Sequence, residues 1–138
     1  MFRCPRLRTA LAALVALALL PIGLGRADAA EDHGHEIVIK DKTFAPREET
    51  ITVGEALTWV HEDPGAFHTV TADDGSFDSN PGCTAEKTNR CMKEGGVFRR
   101  TFRQVGRFPY HSKLHGGAGG KGASGVVVVV AEGEEENG

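Results

Sequence analysis

From Ala30 onward the chain never sustains the three-to-four-residue apolar period of a buried helix. It is built of short runs that alternate apolar and polar residues and are punctuated by glycine, proline and aspartate. "HEIVIKD" is rich in branched residues. "EETITV" and "EALTWV" flank Gly54 in the manner of a hairpin, and "FHTVTA" is closed by the turn "DDGS". In "GVFRRTF", Val97, Arg99 and Thr101 fall on one face and Phe98, Arg100 and Phe102 on the other. "GRFPYHS" and "GVVVVVAE" read as the last two strands. Seven to eight short strands separated by turns predict an all-β fold, a Greek-key β-sandwich, with Trp59 and the phenylalanines in its core. One long irregular stretch interrupts the rhythm, "DSNPGCTAEKTNRCMKEGG", with a helical turn expected near "TAEKTNRC".

The first 29 residues stand apart from this pattern. Arg3, Arg6 and Arg8 precede the apolar run "ALAALVALALL", and "RADAA" follows, with Ala27 and Ala29 in the small positions of a cleavage site. The pattern predicts a secretory signal peptide over 1–29, the other reading being a retained membrane anchor. The remaining organisation is a flexible, histidine-containing segment 30–35, one domain over 36–131, and an acidic, disordered tail over 132–138. No membrane span is expected in the mature chain, which is read as a periplasmic or secreted monomer.

Cysteine usage agrees with export. Cys4 leaves with the signal, and Cys83 and Cys91 remain, eight positions apart. In an oxidising compartment that pair reads as a disulfide closing a short loop, and a two-thiol metal site is the competing reading. Without Arg3, Arg6, Arg8, Arg26 and Asp28, the sixteen basic and nineteen acidic residues become twelve and eighteen, a formal charge of −6. That balance excludes a basic nucleic-acid surface. The tail "AEGEEENG" is simplest as a solvated terminus, with a patch for a basic partner as the alternative.

Three segments, taken in order, carry a more specific signal: "FAPREETITVGEALTWVHED", "FHTVTADDGSFDS" and "GGVFRRTFRQVGRFPYHSKLHGGAGGKGASGVVVV". Together they resemble the cupredoxins, the plastocyanin, amicyanin, pseudoazurin and halocyanin-type proteins, over roughly residues 36–131. The resemblance implies a copper-binding, electron-transfer protein that is not an enzyme and that meets a redox or copper-delivery protein partner. It also implies that His68 and His115 occupy the two imidazole ligand positions.

The departures from that pattern lie at the sulfur ligands. A blue-copper centre uses two imidazoles, a thiolate and a weak thioether. Ser112 stands at the cysteine position. Gly120 stands at the methionine position by the longer of two family spacings, and Ala118 by the shorter. A serine hydroxyl stays protonated at neutral pH and is a poor ligand, so the residues describe a Cu(II) site of nitrogen and oxygen donors rather than a blue electron carrier.

Four further histidines bear on such a site. His111 adjoins Ser112 and is expected to face away from it, a third-ligand role being the other reading. His61 is expected as a half-exposed strand-end residue, with approach to the metal as the alternative. His33 and His35 belong either to a solvated tail or to a loose copper-collecting segment. Ser112 beside His111 or His115 raises a nucleophile–base pair, but no G-x-S-x-G elbow is present and no orienting carboxylate can be placed. "GGAGGKGASG" lacks the strand-to-helix context of a phosphate loop. Two functions follow: a His-based copper storage or delivery protein, or a non-metal structural or interaction module. In the second, the loop glycines reflect a relaxed need for packing around copper.

Overall fold

The computed structural model describes residues 34–134. The expected signal peptide, most of segment 30–35 with His33, and residues 135–138 of the tail lie outside the described residues. Eight strands follow in chain order: β1 His35–Lys40, β2 Thr43–Ala45, β3 Glu48–Thr52, β4 Ala56–His61, β5 Thr71–Ala72, β6 Val97–Thr101, β7 Gly106–Gly117 and β8 Lys121–Val130. They form two four-stranded mixed sheets, ordered β2-β1-β4-β6 and β3-β8-β7-β5. The expected β-sandwich is therefore present. A 3-10 turn, Thr88–Arg90, lies within the predicted "TAEKTNRC" stretch.

Period-2 alternation builds the core from both sheets. Ile37 and Ile39 of β1, and Leu57 and Trp59 of β4, point inward from the first sheet. Tyr110, Val127 and Val129 meet them from the second. Trp59 packs edge-on against Tyr110 across the sandwich, ring centroids 5.5 Å apart. Phe98 of β6 and Phe102 just beyond its end pack against Trp59, and the guanidinium of Arg100 lies 4.8 Å from the centroid of the Phe77 ring.

Three expectations are corrected. The runs around Gly54 are not a hairpin: β3 pairs in parallel with β8, and β4 in parallel with β1, in the opposite sheet. Gly54 adopts φ +95° and donates its N–H to the Phe102 carbonyl at 2.7 Å, turning the chain from one layer to the other. Two alternating runs around a glycine fit either path, because each buries only one face. The "FHTVTA" strand shrinks to Thr71–Ala72 plus an isolated bridge between His68 and Met92. His35 is not part of a free tail; it opens β1, with Nδ1 2.6 Å from Glu49 and Nε2 3.4 Å from Glu55. Among the described residues no helix is long and apolar enough to cross a membrane.

Candidate metal centre

Three elements bring three imidazoles into a row. His61 ends β4, His68 precedes β5, and His115 lies in the irregular part of β7. The ring centroids of His61 and His68 are 4.8 Å apart, and those of His68 and His115 are 4.7 Å apart. His61 and His68 are fully buried. His115 is half-buried and opens onto a groove of about 330 Å³ lined also by Lys42, Ala66, Phe67 and Leu114.

Each position has a local cause. His61 continues the inward alternation of Leu57 and Trp59. His68 is clamped by two reciprocal backbone bonds with Met92, 3.1 and 3.0 Å long. In β7, pairing with β8 runs regularly to His111↔Ser124 and resumes at Gly116↔Gly122. Between these points four residues, Ser112 to His115, oppose only Ala123. This bulge breaks the strand's alternation and lets both Ser112 and His115 approach His68.

The bonds around His68 assign its tautomer. Nε2 lies 2.9 Å from Asp63 Oδ2, and Nδ1 lies 3.2 Å from Ser112 Oγ. The Asp63 carboxyl is held below the ordinary carboxylate range, chiefly by its bond to His68, so it accepts and Nε2 carries the proton. The Nδ1 lone pair then accepts from the Ser112 hydroxyl. Ser112 Oγ in turn accepts the Thr69 N–H at 3.3 Å, and Asp63 Oδ2 accepts the Lys42 N–H at 2.8 Å. Burial pushes the His68 imidazole below its usual value against the pull of Asp63, favouring the neutral ring. Burial lowers His61 in the same way. His61 Nδ1 accepts the Asp63 N–H at 3.1 Å, while its buried Nε2 has no hydrogen-bond partner.

The residues read from the sequence divide accordingly. His68, His115 and Ser112 come together. His61, expected as half-exposed, is instead buried against His68, and the alternation of β4 already carried that signal. His111 lies elsewhere, its Nδ1 2.6 Å from Asp73. Gly120 and Ala118 belong to the exposed tip of the β7–β8 hairpin. Gly120 lines the Asp73 side of that hairpin, and Gly119 donates its N–H to Asp73 at 2.9 Å. Cys83 and Cys91 form a disulfide. Asp63 went unread because "EDPG" carries only the signature of a turn.

The orienting carboxylate absent from the sequence reading is thus supplied by Asp63, and Asp63–His68–Ser112 has the connectivity of an acid–base–nucleophile triad. Ser112 and His68 are each 0% exposed, so no substrate carbonyl can reach Oγ in this arrangement. The series is a buried hydrogen-bond relay.

As a ligand set, these residues do not fit a sulfur-bound blue centre: the Ser112 hydroxyl replaces the thiolate, and Gly120 and Ala118 have no donor side chain. Among the described residues no group of three or more His, Cys, Asp or Glu side chains is arranged to hold a metal ion. Two imidazoles would be left to hold a metal. The Nδ1 of His68 is unprotonated and accepts from Ser112, while its other nitrogen is anchored on a carboxylate, the usual outer support of a metal-binding histidine. His115 stands beside it at the groove.

No family model and no curated protein matches the chain. Solved structures do. A purple cupredoxin from Nitrosopumilus maritimus is 20% identical, with a TM-score of 0.54 over 70% of this chain and 99% of that one. A methionine-to-alanine mutant of amicyanin in its Cu(I) form is 22% identical, with a TM-score of 0.53 over 70% and 82%. A reduced proline-to-phenylalanine mutant of amicyanin is also 22% identical, with a TM-score of 0.54 over 72% and 84%. At this identity the likeness establishes the fold.

Proposed function

We propose, on the premise of a cupredoxin-like fold, that this chain is an exported copper-binding protein of the electron-transfer type whose site rests on His68 and His115. Without a thiolate it holds or hands on Cu(II) rather than cycling it rapidly between oxidation states. The observation that carries this reading is the 2.9 Å contact of Asp63 with His68 Nε2, which leaves Nδ1 free of a proton on the Ser112 side. When bound, copper would supply a one-electron acceptor. The protein's own part is to fix the His68 tautomer, to exclude water from its ring and to open His115 to the surface. The groove beside His115 is where a copper-delivery or redox partner would gain access. The signal-peptide pattern and the disulfide support a periplasmic or secreted location.

One observation favours a second reading, a non-metal interaction module. Asp63 and Ser112 already satisfy both nitrogens of His68 without a metal. Titration with Cu(II), followed by calorimetry and electron paramagnetic resonance, separates the two. We expect one tetragonal site per chain in the parent, weakened at least tenfold in His68→Ala and in His115→Ala. Binding that is absent, or that both variants leave unchanged, would support the module.

A further inference from the structure

The long irregular segment between β5 and β6 touches β7, which carries His115, toward its start and the loop that carries His68 toward its end. At its start, Lys113 Nζ, between Ser112 and His115 on β7, pairs with Asp78 and donates to the carbonyls of Asn80 at 3.3 Å and Pro81 at 3.4 Å. At its end, Met92 exchanges two backbone bonds with His68. The Cys83–Cys91 disulfide lies between these ends and joins the Asn80–Pro81 side directly to the residue before Met92. Asn80 Nδ2 donates to the Arg90 carbonyl at 3.1 Å across the same narrow loop.

We propose that the Cys83–Cys91 disulfide closes a bracket that sets the position of His68 relative to His115, and that its reduction loosens the bracket and weakens copper binding at that pair. The positional part stands on the contacts above; the consequence for copper rests on the function proposed here. A dithiol donor would supply the electrons. Its two thiols become one disulfide, two electrons and two protons pass to the protein, and the Cys83–Cys91 bond becomes two thiols. Cys91 lines a surface groove of about 460 Å³ together with Asn80, Met92 and Gly96, but Cys83 and Cys91 are only 1% and 6% exposed, so a donor reaches the bond when this loop opens.

The test uses the Cys83→Ser, Cys91→Ser double variant of the full chain, so that no added thiol competes for metal. Amide exchange at His68, whose N–H is bonded to Met92, is expected to quicken about tenfold or more while Trp59 and Val127 amides stay protected. The Cu(II) dissociation constant is expected to rise on the order of tenfold, the scale set by loss of an outer support. Lys113→Met releases the other arm with the disulfide intact and should also weaken binding. Combined with the cysteine changes it should cost less than the product of the two effects. A double variant that melts earlier yet keeps His68 exchange and copper affinity would show the disulfide to be a staple only, and overturn the bracket. Should the cysteine variant not fold, unchanged affinity in Lys113→Met would overturn it. If the parent binds no Cu(II), the functional reading fails while the exchange data still judge the bracket.

Discussion

Asp63 lies two residues after His61 and five before His68, and it engages both: its N–H donates to His61 and its carboxylate accepts from His68. A carboxylate in this place fixes the ring of His68 and raises its basicity toward a metal. Asp63→Asn keeps the size and an acceptor oxygen but removes the charge. Its Cu(II) dissociation constant is expected to rise about tenfold or more, read by competition with a chromophoric chelator. An unchanged constant would mean that His68 does not depend on Asp63 for its ligand character.

At the scale of the element, close backbone approach in the β7–β8 hairpin accounts for Gly116 and Gly122. Gly116 and Gly122 oppose each other just beyond the bulge. A Cβ on Gly116 would meet the carbonyl of Ala123, and it would lie 2.8 Å from that of Lys121. Gly122, at φ +58°, would place its Cβ against the His115 carbonyl. These glycines allow two backbones to approach closely beside His115. Gly116→Ala is expected to lower stability by about 1–3 kcal/mol in denaturant unfolding and to weaken copper binding by displacing His115. Gly117→Ala is the control, since the nearest atom to a Cβ there is Lys121 Cβ at 3.9 Å, an ordinary contact, and little change is expected.

At the scale of the molecule, the buried imidazoles make stability depend on pH. His61 and His68 are both pushed below 6.5 by burial. The unfolded chain therefore takes up protons near pH 6.5 that the folded chain refuses until lower pH. Their contribution is complete above the unfolded value and is lost as pH falls through the folded ones. Asp63, held below 3.8 chiefly by its bond to His68, adds a second loss in stronger acid. For the metal-free protein, denaturation midpoints are expected to be level above about pH 7 and to fall progressively below it. Midpoints that hold constant to pH 5 would contradict neutral, buried rings.

The sequence by itself determined the layer architecture, because period-2 alternation commits each strand to burying one face whatever its neighbours. The resemblance of three ordered segments to the cupredoxins also singled out His68, Ser112 and His115. His61 reads as half-exposed from its strand-end position, although the alternation from Leu57 through Trp59 that buries it is present in the sequence. Only the tertiary structure decided which strands pair, since a glycine turn serves a hairpin and a layer crossing equally well. It alone brought Asp63 to His68, moved Gly120 to a hairpin tip and joined Lys113 and Met92 through one disulfide-closed segment. Those contacts depend on a three-residue register shift and on side chains from distant turns, and neither leaves a periodic trace in the chain.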